Sequence, residues 1–102
     1  MTAQSPLTED TVVQRSLDVV EAEVDGEVVA LNIEKGICYG LNKIGSRIWQ
    51  LIAEPCRIAD IGTRLMGEYD VDEETCRRQV IELLEDLRSE ELITLVEGTS
   101  LP

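Results

Sequence analysis

Cysteine and histidine carry most nucleophilic and metal-ligand chemistry, and this chain holds Cys38, Cys56 and Cys76 but no histidine. A Ser-His-Asp triad, a Cys-His pair and a His-ligated metal are therefore excluded. The thiols lie about 20 residues apart with no C-x-x-C pair, which fits neither a zinc site nor a secreted disulfide framework. They are expected to behave as small hydrophobes, and no metal or cofactor is expected. The 21 Asp and Glu offer carboxylates everywhere, but no spacing singles out an acid/base pair, and no Gly-rich phosphate loop is present.

The remaining chemistry belongs to the main chain. Ile37-Cys38-Tyr39-Gly40-Leu41 reads as a short strand without charge or proline, the features that normally blunt an exposed sheet edge. Such an edge can accept an added peptide strand, with backbone bonds giving affinity and side-chain pockets giving selectivity. The plainer alternative is that the extended run Leu92 to Val96 covers it. A long helix supplies a second candidate. At about 100° per residue, Cys76, Val80, Leu83 and Leu87 form its core stripe. Leu84 lies to one side of that stripe and Ile81 further round, with Arg77 and Arg88 between and beside them. Facing the strand, this flank is expected to make a groove with an apolar floor and a cationic rim. Alternatively, the two arginines pair with nearby carboxylates on a solvated face, for about a few tenths of a kcal/mol each.

The elements that must position these residues are legible in the periodicity. Residues 1–16 are polar and charged and read as a loose tail, with residues 17–97 as the folded domain and 98–102 as a second tail. Val20, Ala22 and Val24 alternate with Glu21 and Glu23, a strand with one buried and one wet face. Asp25-Gly26 closes a tight hairpin onto a second strand, Val28 to Ile33, and Glu34-Lys35-Gly36 turns into the third, Ile37 to Leu41. The period then changes to 3.6. Asn42 is placed to cap a helix bearing Ile44, Ile48, Leu51 and Ile52, with Trp49 at its border; Tyr39 and Trp49 are expected in or near the core. Pro55 ends that helix, a second runs from about Ile58 to Tyr69, and the long one from Asp72 to about Glu90. The class expected is α+β and winged-helix-like: a three-stranded antiparallel sheet followed by three helices.

Charge narrows the function. Nine Lys+Arg leave 102 residues with a net charge of −12, and Asp72 to Glu91 carries eight acids against three arginines. A winged-helix DNA-binding regulator fits the elements but not this charge, so no nucleic-acid partner is expected. No apolar run approaches the roughly 18 residues that span a bilayer, and the polar start lacks a signal-peptide layout; the expectation is a cytoplasmic protein with no membrane partner. Gly45-Ser46 near a helix start resembles the phosphopantetheine site of an acyl carrier protein, but carriers are helical bundles and three strands precede this serine.

The run Leu31-Asn32 through Gly36, Tyr39-Gly40-Leu41-Asn42, Gly45 and Ile48-Trp49-Gln50-Leu51-Ile52 resembles the PqqD family. So do Gly67-Glu68-Tyr69-Asp70-Val71 and Leu83-Leu84-Glu85-Asp86-Leu87, so that the resemblance spans about residues 18 to 97. It implies a winged-helix-like recognition element, not an enzyme, that docks the leader of a ribosomally made precursor as an extra antiparallel strand beside the third strand and against the last helix. The Tyr-x-Leu-Asn-x-x-Gly-x-x-Ile-Trp run is most like the freestanding lasso-peptide members; a chaperone of another modified-peptide pathway, such as pyrroloquinoline quinone synthesis, is the alternative. Implied partners are a Tyr-x-x-Pro leader, a leader-cleaving cysteine protease and an ATP-dependent macrocyclase. The implied binding residues are Ile37, Cys38, Tyr39, Gly40 and Leu41 on the strand, and Arg77, Val80, Ile81, Leu84 and Arg88 on the helix. Arg57 departs from the family, whose members usually place a Ser or Thr cap there.

Overall fold

The computed structural model describes residues 7–96. Two antiparallel sheets and three helices share one core. Strands β2 (Val19–Val24), β3 (Glu27–Asn32) and β4 (Ile37–Gly40) form the expected meander, in the order β2-β3-β4. Helices α1 (Lys43–Leu51), α2 (Ile58–Glu68) and α3 (Glu73–Ser89) follow. The α+β class with three helices after a meander is as expected.

The second sheet is not. Strand β1 (Val12–Arg15) lies between the two-residue β5 (Cys56–Arg57) and β6 (Ile93–Leu95). This corrects the reading of residues 1–16 as a loose tail: Val13 pairs with both Cys56 and Leu95, and Leu7 and Val13 are buried in the core. Four residues with one inward side chain leave almost no periodic signal, and the strand exists because both neighbours complete its hydrogen bonds. Residues 1–6 and the expected tail at 98–102 lie outside the described residues. Strand β6 is the run that was the candidate cover for the third strand, and its pairing with β1 takes it elsewhere.

The first strand of the meander is turned over relative to expectation. Val20, Ala22 and Val24 point to solvent, with Val24 60 % exposed, while Glu21 faces the helices. The cause is α1. Trp49 is 1 % exposed, and its indole Nε1–H needs an acceptor. It donates to Glu21 Oε1 at 2.6 Å. The same oxygen takes Arg15 at 2.8 Å, Arg15 Nε donates to the Trp49 carbonyl at 2.9 Å, and the guanidinium sits 4.8 Å from the Trp49 ring centroid. This junction ties β1 of one sheet to β2 of the other through α1.

Local chemistry sets the remaining ends. Asp25 and Gly26 both have positive φ, 55° and 82°, as a two-residue hairpin turn with the native twist requires. Asn42 caps α1, its side chain accepting from Gly45 N at 2.8 Å. A Cβ on Gly45 would lie 3.3 Å from both Asn42 Oδ1 and Leu41 Cδ2, so the cap leaves little room for a side chain there. Ser46 is 2 % exposed and engaged twice, accepting from Val28 N at 2.8 Å and donating to the Leu41 carbonyl. That burial removes the carrier-protein reading. Arg57 makes no capping bond to α2; instead Ile58 N and Ala59 N donate to the Thr11 and Glu9 carbonyls of the N-terminal segment. Helix α3 ends with Leu92 N on the Leu87 carbonyl and Glu91 N on that of Arg88, which places Glu91 at φ 61°.

Two stability outcomes follow. Glu21→Ala leaves the buried indole N–H without its acceptor and Arg15 without its carboxylate, and should lower unfolding stability in urea by about 1–3 kcal/mol. Glu91→Gly relieves the left-handed backbone and should raise it by about 0.5–1 kcal/mol, read as a shifted midpoint at unchanged slope.

Candidate functional site

Strand β4 is bonded on one side only. Leu41 N donates to the Val28 carbonyl at 2.8 Å, and antiparallel alternation then turns the N–H and C=O groups of Tyr39 and Ile37 toward β3. The N–H and C=O of Cys38 and Gly40 consequently point away from the sheet, with no strand beside them among the described residues. The side chains alternate with the pleat. Ile37, Tyr39 and Leu41 face the helices, while exposed Cys38 and Gly40 face outward.

Helix α3 runs beside this edge. The Tyr39 hydroxyl donates to Asp86 Oδ2 at 3.4 Å; burial first, then the nearby Asp86 and Glu90 carboxylates, raise the phenol above its ordinary pKa. Just past the strand's end, a cavity of about 320 Å³ opens between α1 and α3. Ile44, Ile48, Leu65, Val71 and Leu83 give it apolar walls, and Asn42, Gln79, Glu82 and Asp86 give it a polar mouth. Asp86 both meets Tyr39 of the strand and lines the cavity, so edge, helix flank and cavity adjoin there as a groove.

The strand half of the expected site, Ile37 through Leu41, lies at this groove, although Leu41 itself is buried as a support. The helix half needs correction. Leu84 is 0 % exposed and belongs to the core beneath the groove, while Val80, 1 % exposed, lines the cavity as part of its floor; neither forms a rim. Ile81 packs partly buried against the same core. Arg77 binds Glu9 Oε2 at 2.6 Å and lines a smaller cavity with Ile58 and Met66, while Arg88 lies with Ser16, Lys35 and Ile93 at another surface. The expected cationic rim is absent from the groove; the helix flank there carries Gln79, Glu82, Leu83 and Asp86.

The reason is which flank of the stripe meets the sheet. The buried stripe of α3 is Cys76, Val80, Leu84 and Leu87, about 30° round from the stripe read with Leu83. Periodicity locates such a stripe but does not say which flank meets the sheet, and the groove lies on the flank opposite Arg77 and Arg88. The missed residues had a signal: 79, 82 or 83, 86 and 90 repeat at helical spacing along one line.

Burial pushes the Cys56 and Cys76 thiols up, away from the reactive thiolate; Cys76 lines the cavity and Cys56 does not. Among the described residues, no group of three or more His, Cys, Asp or Glu side chains is placed to hold a metal ion. No described helix is long and apolar enough to cross a membrane.

Comparison with known proteins supplies the context. Residues 27–93 match the family described as coenzyme PQQ synthesis protein D (PqqD). A solved structure of TbiB1 in complex with the TbiA(beta) leader peptide superposes with a TM-score of 0.73 at 38 % identity, covering 85 % of this chain and 98 % of that one. A lasso peptide synthetase B1 complexed with the leader peptide shares the fold, with a TM-score of 0.72 at 22 % identity over 80 % of this chain and 96 % of that one. No curated protein matches the sequence. With a family model covering most of its folded residues and a relative of this identity over this length, the chain belongs to the PqqD family.

Proposed function

We propose that this protein is a non-catalytic adaptor that binds the leader of a lasso-peptide precursor by strand addition along β4. The observation that carries the reading is the unpaired, uncharged edge at Cys38 and Gly40 opening onto the cavity beside α3. Strand addition satisfies these main-chain groups, and the walls at Ile44 and Leu83 receive the leader's apolar anchor. A strand antiparallel to β4 begins near Asn42, so its N-terminal part passes over the cavity. The aromatic ring of a Tyr-x-x-Pro motif suits a space of this size and lining. That the TbiB1 relative was solved with a leader peptide supports the same use here.

The adaptor's output is delivery. Its partners in this reading are a leader-cleaving cysteine protease and an ATP-dependent macrocyclase, acting in the cytoplasm where the precursor is synthesised. Holding the leader raises the local concentration of the attached substrate. The outer face of the meander offers the protease its docking surface. Val20, Ala22, Val29, Leu31 and Cys38 form a patch on that face without charge, and Val24 and Ile33 extend it at 60 % and 72 % exposure. This patch is continuous with the leader edge, because an added strand contributes its own outward side chains to the same face.

An anisotropy titration with the labelled leader of the precursor encoded beside this gene tests the binding reading. Gly40→Pro removes an outward N–H that the fold does not use and should weaken binding by about 10- to 100-fold while the domain stays folded. Leu83→Glu should cost about 1–3 kcal/mol of affinity, and Arg77→Ala should change it by less than about twofold. Unchanged affinity in Gly40→Pro would remove strand addition. For delivery, Val20→Lys should leave leader affinity intact and slow leader cleavage by the protease at least about tenfold; normal cleavage would place the protease elsewhere.

A further inference from the structure

We infer that the groove selects a leader carrying basic residues at alternate positions of the strand segment, on the side facing α3. This inference rests on the leader-binding reading and adds the chemical class of the leader. Its basis is the relation between the open edge and one line of carboxylates on the neighbouring helix.

Helix α3 runs antiparallel beside β4. Tyr39 meets Asp86 and feels Glu90, whereas Asn42, three residues further on, shares the cavity with Gln79, Glu82 and Leu83. A peptide added antiparallel to β4 therefore runs in the same direction as α3. Glu82, Asp86 and Glu90 are spaced i, i+4, i+8, which sets them about 6 Å apart along the axis. Alternate side chains of an extended strand recur about every 6.8 Å. The two repeats nearly match, so successive inward side chains of the bound strand pass successive carboxylates.

These carboxylates are also uncompensated. Glu9, Glu21 and Glu68 each hold an arginine, but none of Glu82, Asp86 and Glu90 has a salt bridge among the described residues. A basic side chain on the inner face of the added strand passes close to these carboxylates, and the attraction is greatest at low salt. An acidic side chain at the same place meets repulsion from this line of carboxylates.

The test uses fluorescein-labelled synthetic peptides that share a Tyr-Thr-Thr-Pro segment followed by a strand of alternating Thr and a variable residue: Lys, Ser or Glu. Each is made in both alternating phases, so that the variable residue faces α3 in one phase and the outer surface in the other. At low salt, the expected order in one phase is Lys over Ser over Glu, with at least about tenfold between Lys and Glu. In the other phase the spread should fall to about twofold, and the double variant Glu82→Lys, Asp86→Lys should reverse the order. Both positions are exposed, and circular dichroism checks that the variant is folded. Equal preference for Lys in both phases would assign the effect to overall charge and overturn the inference. Equal affinity of the Lys, Ser and Glu peptides would overturn it while leaving leader binding standing. No binding of any peptide, nor of the encoded leader, to the folded protein would remove the leader reading and the inference with it.

Discussion

Strand β1 has four residues, yet it occupies the middle of a sheet, with β5 on one side and β6 on the other. That placement takes up the C-terminal strand. Had β6 paired with β4, the main-chain groups of Cys38 and Gly40 would be satisfied internally and the groove beside α3 would be closed. Because β6 pairs with β1, β4 stays an edge among the described residues, supported by β3 and with donors and acceptors facing outward. An edge of this kind is normally hazardous to a soluble protein, and the rest of the architecture can be read as holding it still while leaving it accessible.

That rigidity comes from contacts on the inner face. Trp49 fills the space between the two sheets, and the Arg15–Glu21 pair closes over it, so β2 is anchored despite exposing its own valines. Ser46 joins α1 to both β3 and the end of β4 through its hydroxyl. Strand β4 is thus held along β3 and at its C-terminal end, where the cavity begins. A preformed receiving strand reduces the ordering cost of association, which then falls mainly on the incoming peptide.

Much of this was legible beforehand. The alternation at 20–24, the strand run at 28–33, the Asp25-Gly26 turn, the Asn42 cap and the 3.6-residue stripes located the meander and all three helices, and the uncharged run at 37–41 marked the edge. Three things were not legible, each for a physical reason. Val12–Arg15 is too short to show a period and is defined by partners distant in sequence. The face of β2 is decided by the hydrogen-bond demand of Trp49, which outweighs the exposure of Val20, Ala22 and Val24. The groove-facing flank of α3 depends on how the helix packs, and the flank that meets the sheet carries carboxylates, with Arg77 and Arg88 on the opposite one.

The carboxylates along α3 bear on self-association as well. An unblunted strand edge invites a second copy of itself, and β4 has no lysine, proline or bulge to discourage one. Two copies meeting edge to edge would bring Glu82, Asp86 and Glu90 of one against the same residues of the other, in a molecule already carrying a charge of −12. The repulsion comes from the neighbouring helix, so the strand itself can stay smooth enough to receive a peptide. A concentrated solution at low ionic strength should keep this edge open, and high salt, which screens like charges, is the condition under which copies would begin to pair.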